Sequence, residues 1–260
     1  MIDQANSATF RPHRIETLSP RVDVSPRPIM AEELLPFTVR IVSDDEAMGK
    51  AVQIRHAAYS RHLPEFAETL KRPEADDTEQ GAVVLLAESK LDGSPLGSMR
   101  IQTNQFKPLS VEESVVLPDW LRTCRLAEAS RLGVTGTTGG RLVTTVLFKA
   151  FYLYCQHIGI EWMVITGRAP IDRQYERLLY EDVFPGKGFI PLHHVGDIPH
   201  RVMTSSVDTA EDRWHAAKHP LFDFAFRTHH PDIKIGGQYR RQAPSMGMPA
   251  FPSHGATLPM

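Results

Sequence analysis

Apolar and polar positions follow two rhythms along this chain, and the places where one gives way to the other mark its elements. Phe37 to Val42 is a β-branched strand run, and Ser43 and Asp44 behind it are helix N-cap types. A helix is predicted from Asp45 to His62, with Met48, Val52, Arg55 and Tyr59 on one stripe. Pro64 opens a short second helix, Glu65 to Lys71, before an acidic turn from Glu74 to Glu79. Gly81–Glu88 and Leu96–Ile101 read as a hairpin around Asp92-Gly93, and after an irregular stretch Cys124 to Val134 reads as a further strand. Leu142, Val146, Lys149, Ala150, Leu153 and His157 then keep helical spacing up to the Gly159 stop. Glu161–Thr166 is a strand, Ile171–Asp182 a helix behind Pro170, Gly188–Leu192 and His200–Ser206 are strands, and Asp208–Arg227 is a last helix kinked at Pro220. Antiparallel pairing at the front and α/β alternation behind predict a mixed α/β fold.

The two ends lack this patterning. Residues 1 to 36 and 236 to 260 hold nine of the 20 prolines. They offer too little periodic apolar surface to offset the entropy of ordering, so they are expected as flexible Pro-rich tails around one domain at 37–235. Composition removes several function classes. Twenty-nine Lys and Arg against 31 Asp and Glu give a net charge of −2, which disfavours a nucleic-acid binder held by overall basicity. Apolar runs such as Ala82 to Ala87 are far shorter than the roughly 18 residues of a membrane span, so no integral membrane segment is expected. Two cysteines, Cys124 and Cys155, make no disulfide framework, and a cytoplasmic setting is the default. Neighbouring histidines on a strand face opposite ways, so His193-His194 and His229-His230 predict no metal chelate.

Charged side chains on elements of buried character are the informative feature. Arg55 lies on the apolar stripe of the first helix, Arg100 near the end of the second hairpin strand, and Glu128, Ser130 and Arg131 inside a further strand. Charges there are costly unless paired. Alternation puts Glu128 and Ser130 on one face and Arg131 on the other, unless a bulge intervenes. A structural ion-pair network is one reading, and a reaction site is the other.

These residues resemble a family. Arg55-His56-Ala57-Ala58-Tyr59, Gly97-Ser98-Met99-Arg100 and Glu128-Ala129-Ser130-Arg131-Leu132 are similar, in order and separation, to motifs of the acyl-homoserine lactone autoinducer synthases. Glu74, Asp76, Asp77 and Glu79 stand where those enzymes carry an acidic loop. Across residues 37 to 235 the chain resembles more closely the long-chain N-acyl amino acid synthases (FeeM-like proteins), whose C-terminal part looks like His219 to Ile233. The resemblance implies a GNAT-like fold, with a mixed central sheet flanked by helices. It also implies transfer of a fatty acyl group from an acyl carrier protein, or from coenzyme A, to the amine of an amino acid. Where the autoinducer synthases place a tryptophan this chain has His62 to Glu65, which favours an amino acid over S-adenosylmethionine as acceptor. Autoinducer synthesis and a non-catalytic acyl-binding module on the same fold are the alternatives.

The chemistry names roles for the residues. An amine must lose a proton before it attacks a thioester, and the tetrahedral oxyanion must be stabilised. Glu128, directly or through a water, is the expected base; backbone N–H groups near a bulge after Leu132 would hold the oxyanion. Asp76 and Asp77 are expected at the acceptor's ammonium and Arg100 at its carboxylate, with Arg55, Tyr59, Ser130 and Arg131 completing the substrate site. Gly139, Gly140 and Arg141 open a helix and are expected at the donor's phosphate, with no tightly bound cofactor beyond the acyl-phosphopantetheine co-substrate. Arg141, Lys149 and Arg173 could meet an acidic carrier or could be a solvated face. Phe148, Phe151, Tyr152 and Trp162 read as core, or as the lining of an acyl tunnel.

Overall fold

The computed structural model describes residues 30–136 and 139–236. In chain order the elements are β1 (Ala31–Glu32), β2 (Phe37–Ile41), α1 (Asp45–Ser60), α2 (Pro64–Thr69), β3 (Ala82–Ser89), β4 (Pro95–Thr103), α3 (Asp119–Arg122) and β5 (Leu126–Val134). Then come α4 (Gly140–Ile158), β6 (Trp162–Gly167), α5 (Asp172–Arg177), β7 (Glu181–Asp182), β8 (Ile190–Leu192), β9 (Ile198–Ser206), α6 (Ala210–Ala216), β10 (Thr228–His229) and β11 (Ile233–Lys234). The main sheet runs β11-β2-β3-β4-β5-β6-β9-β7, with β8 on a second stretch of β9. β11–β2 and β5–β6 are parallel and the other pairs of this sheet antiparallel. This is the expected mixed α/β arrangement.

Strand alternation assigns the two faces. Gly97 leans on Val143 and Leu147 of α4, so closely that a Cβ there would sit 2.6 Å from Val143. Its neighbour Ser98 donates its hydroxyl to the Ala51 carbonyl of α1 at 3.3 Å. Successive side chains point to opposite faces, so α1 and α4 cover opposite sides of the sheet. Leu85, Met99, Ile101, Ala127 and Ala129 form the core under α4 with Val146, Leu147 and Phe151, whereas Val84 and Leu86 meet Ala47 and Ala51 of α1.

α1 starts where Asp44 accepts the Ala47 N–H at 2.8 Å. Its buried residues are Ala47, Ala51, Val52, Ile54, Arg55 and Ala58, a face turned from the expected stripe so that Met48 and Tyr59 are only half-buried. Small side chains let this helix approach closely: a Cβ on Gly133 of β5 would lie 2.8 Å from the Arg55 Cα.

Three expectations change. Residues 31–36 belong to the domain and not to a tail, because β1 pairs with β10 and Leu35 is buried, its N–H donated to Asp232 at 2.8 Å. That partner lies 197 residues away and was invisible to local patterning. The helix expected to Asp182 ends at Arg177, since Leu179 takes a positive φ and Glu181 and Asp182 join β9. The last helix is broken around Pro220, which cannot continue a helical ladder, into α6 and a π-helical turn at Asp223–Arg227. The rest of the expected tails, 1–29 and 237–260, lies outside the described residues.

Lys149 fastens that broken segment. It is buried, and its ammonium donates to the Phe224 and Thr228 carbonyls at 2.6 and 2.5 Å and meets His230 Nδ1 at 2.8 Å. It is therefore not a carrier-facing cation. Burial lowers its pKa to about 8. Lys149→Ala would leave three buried acceptors unpaired, and is expected to lower stability by roughly 2 to 4 kcal/mol in urea unfolding. Amide exchange should quicken at 223–229 while the central strands stay protected.

Candidate active site

Arg55, Arg100 and Arg131 converge from α1, β4 and β5 on a short acidic 3₁₀ turn, Ala75–Asp77, and its cap Glu74. Arg55 is 0% exposed and clamps Asp77 bidentately, with both N–O distances 2.9 Å, while it reaches Glu74 at 3.3 Å. Arg131 takes Glu74 bidentately at 2.6 and 2.7 Å and lies over the Phe66 ring at 5.2 Å. Arg100 bonds Glu74 at 3.2 Å and Ser130 Oγ at 3.2 Å, and stands 3.4 Å from Asp76. Asp76 also holds Lys107, at 2.8 Å. Burial opposes charge on Glu74 and Asp77, but the hydrogen bonds and charges of the arginines outweigh it and keep both below the usual carboxylate range. Thus Asp77 and Arg100, expected at the acceptor's ammonium and carboxylate, are engaged with neighbours of their own chain.

A bulge makes this convergence. Ser98 pairs with Gly133 and Arg100 with Ser130, so β5 spends three residues where β4 spends two. Arg131 is the extra residue, at φ 54°, and it turns to the α1 face that Glu128 and Ser130 already occupy.

Glu128 sits opposite Gln102 and beside Val164, 1% exposed. Oε2 accepts the Val111 N–H at 3.1 Å; Oε1 has no partner among the described residues. Burial, only partly offset by the Val111 bond and the charges of Arg100 and Arg131, raises its pKa to about 7. His194 Nε2 is 3.6 Å from Oε1, beyond hydrogen-bond reach, and both His194 ring nitrogens are buried and unpartnered. Burial, reinforced by Arg131, lowers the His194 pKa to about 4, so the ring is neutral. Unpartnered buried polar atoms are uncommon, and Glu128 Oε1 and the two His194 nitrogens place three of them side by side. His193 and His194 lie in a 3₁₀ turn, not in the strand that sequence assigned them, and Arg131 holds the His194 carbonyl at 2.9 Å.

β5 and β6 pair only over Leu126–Ala129 and Trp162–Ile165, then part. From Ser130 onward the edge of β5 that faced β6 has no strand partner among the described residues. The gap opens into a cleft of about 280 Å³ walled by Tyr59, His62, Leu63 and Phe66, by Ser130 to Leu132, and by Thr166, Arg168, Tyr175 and His200. Glu128 is not part of this lining; it stands on β5 two residues before Ser130, in the stretch still paired with β6. Thr144, in the first turn of α4, reaches the cleft, and Gly139 precedes that helix without a side-chain cap. Gly140 is required there, since a Cβ would sit 2.5 Å from the Thr135 carbonyl. Arg141 is exposed; residues 137 and 138 lie outside the described residues.

Sequence reasoning missed His194, His200 and Arg168. Nothing local marks either histidine, but Arg168 follows the C-terminal end of a strand, where α/β sheets bind their ligands. Among the described residues no three His, Cys, Asp or Glu side chains are grouped as for a metal, and no helix is long and apolar enough to cross a membrane.

Removing one partner of a buried pair strands the other charge. Asp77→Ala should therefore cost roughly 3 to 5 kcal/mol, and the half-exposed Asp76→Ala about 1 kcal/mol or less, in denaturant unfolding. Glu128 sets a pH dependence. Its folded pKa of about 7 exceeds its ordinary 4.5, so the native state binds more protons between those values. Stability then falls as pH rises through this window and levels off above it. Glu128→Gln should flatten that slope, narrowing the difference between pH 5 and pH 8 by on the order of 2 to 3 kcal/mol.

No family model matches the chain, and no curated protein matches it in sequence. Solved structures do. FeeM, an N-acyl amino acid synthase from uncultured soil microbes, superposes with TM-score 0.54 at 14% identity, over 72% of this chain and 96% of its own. BjaI, a CoA-dependent acyl-homoserine lactone synthase solved with MTA, gives TM-score 0.50 at 14% identity, over 77% and 96%. NAA60 of Arabidopsis thaliana, in complex with acetyl-CoA, gives 0.46 at 16% identity, over 66% and 99%. The resemblance read from the motifs thus recurs in three dimensions, and the chain shares the mixed-sheet fold of FeeM and BjaI.

Proposed function

We propose that this protein is an N-acyltransferase that joins a fatty acyl group, carried as a thioester on acyl carrier protein, to the amine of an amino acid. The reading rests on one juxtaposition: a half-satisfied, buried glutamate with a pKa near neutrality stands in the last paired stretch of β5 before β5 and β6 part. A base works best when its pKa is near the operating pH. The unpaired strand edge beside it offers backbone donors for an oxyanion. The pantetheine arm enters the gap, with its phosphate at the start of α4 by Gly139, Gly140 and Arg141. An ammonium proton passes to Glu128 Oε1, directly or through a water. The amine nitrogen then bonds the thioester carbon and gives up a second proton, the C–S bond breaks, and the leaving thiolate takes up that proton, while the proton on Glu128 returns to solvent. Arg55, Arg100, Asp77 and Glu74 act by holding β4, β5 and α1 in register around this glutamate, and Tyr59 and Ser130 line the approach. FeeM, which shares the fold, is by its name an N-acyl amino acid synthase, and this supports the substrate class.

Incubating the full chain with acyl carrier thioesters, acyl-CoA and the twenty amino acids should yield N-acyl amino acids by mass spectrometry, fastest from the carrier. Glu128→Gln should lower kcat by about 10² to 10⁴ while donor binding is kept. A strict requirement for S-adenosylmethionine, or full turnover by the Gln variant, would overturn the reading.

A further inference from the structure

Charge inside the cleft is one-sided. Its titratable and charged lining consists of Tyr59, Arg61, His62, Arg131, Arg168, Tyr175 and His200, with no carboxylate. Arg131 is neutralised by Glu74, and Arg61 lends a guanidinium N–H to the Val134 carbonyl at 2.7 Å. Arg168 is different. It forms no ion pair with any described residue, and its single hydrogen bond, to the Ala169 carbonyl, is 3.5 Å long, at the limit of the interaction. The residue is half-buried while its guanidinium contact with Ala169 is exposed, so its charge is open to an anion in the cleft.

His200 has the opposite character. Its Nδ1 lies 2.7 Å from the Ile198 carbonyl, which can only accept, so Nδ1 carries the proton and Nε2 presents a lone pair. Burial, and then the charge of Arg168, lower its pKa, so the ring is neutral. One wall therefore offers a forked cation and, close enough to feel its field, a neutral hydrogen-bond acceptor.

We infer that Arg168 and His200 form the subsite for the charged end of an α-amino acid acceptor, with the carboxylate on the Arg168 guanidinium and an ammonium N–H donated to His200 Nε2. A planar guanidinium matches a carboxylate bidentately, and a neutral imidazole nitrogen suits an N–H donor and repels an anion. This rests on the N-acyltransferase reading and deepens it. It also replaces Arg100 in the role of carboxylate anchor, since Arg100 is enclosed among Glu74, Asp76, Asp77 and Ser130.

The test uses the full chain with matched acceptors: an amino acid, its decarboxylated amine and its methyl ester. The wild type should favour the free acid about 10- to 100-fold in kcat/KM, the equivalent of a hydrogen-bonded charge. Arg168→Ala should raise the amino acid KM by a similar factor and abolish that preference, with the donor KM unchanged; Arg168→Lys should keep part of it. His200→Phe should raise the KM of acid and amine alike and leave their ratio intact. A raised donor KM in Arg168→Ala would assign the anion to the donor's phosphate and overturn the inference, as would an unchanged acid-to-amine ratio. Calorimetric titration with the amino acids separates the two readings. Binding lost in Arg168→Ala but present in a wild type that makes no amide would sink acyl transfer alone; turnover with an indifferent Arg168 would sink the subsite alone.

Discussion

Burying a guanidinium without a counter-charge is too costly for a fold of marginal stability, and three are buried among the described residues. Arg55, Arg100 and Arg131 come from elements separated by tens of residues, and all three find Glu74. The acidic turn at Ala75–Asp77 is therefore held down over the sheet, with Asp77 reaching Arg55 and accepting the Glu74 N–H at 2.9 Å. α1, β4 and β5 become one body on that face. Everything beside them, including the mouth of the cleft at Tyr59 and the turn that carries His194, takes its position from these pairs.

The bulge at Arg131 is the geometric counterpart of that constraint. In a regular strand Arg131 would point toward the apolar layer of α4, among Val143, Leu147 and Phe151. One extra residue returns it to the acids and also ends the pairing pattern that β5 shares with β6. A single local irregularity thus supplies both the third arginine of the network and the start of the gap. Gly133, the next pairing residue, lets α1 close over the distorted strand.

Polar groups around the sheet divide into two populations. Those of the network pair their charges with one another, although one guanidinium nitrogen on each of Arg55, Arg100 and Arg131 has no hydrogen-bond partner among the described residues. The others, Glu128 Oε1, the His194 ring and Arg168, are buried or half-buried without adequate partners. Groups of the first kind account for stability and shape. Groups of the second kind are where desolvation has been left uncompensated, and that is the usual mark of a place prepared for substrate, water or proton.

Much of the framework was legible in the chain itself. The Asp92-Gly93 hairpin, the capped start of α1, the Gly159 stop of α4 and the alternation of strands with helices are local effects of turn chemistry and periodicity, which operate within a few residues. The unusual charges Arg55, Arg100, Glu128 and Arg131 also stood out, because a charge in an apolar pattern is conspicuous without any fold. Sequence could not say which of them were mutually engaged. That depends on contacts such as Arg131 to Glu74 and Arg100 to Ser130, set by strand register and a one-residue bulge that no local pattern encodes. The same holds for β1 on β10, for Lys149 enclosed by residues near 224–230, and for Arg168 and His200, ordinary in sequence and adjacent only because β6 and β9 pair. Local sequence determined the elements and the candidate chemistry. Long-range packing decided which charges were satisfied and which were left open, because desolvation and pairing energies exist only once distant segments meet.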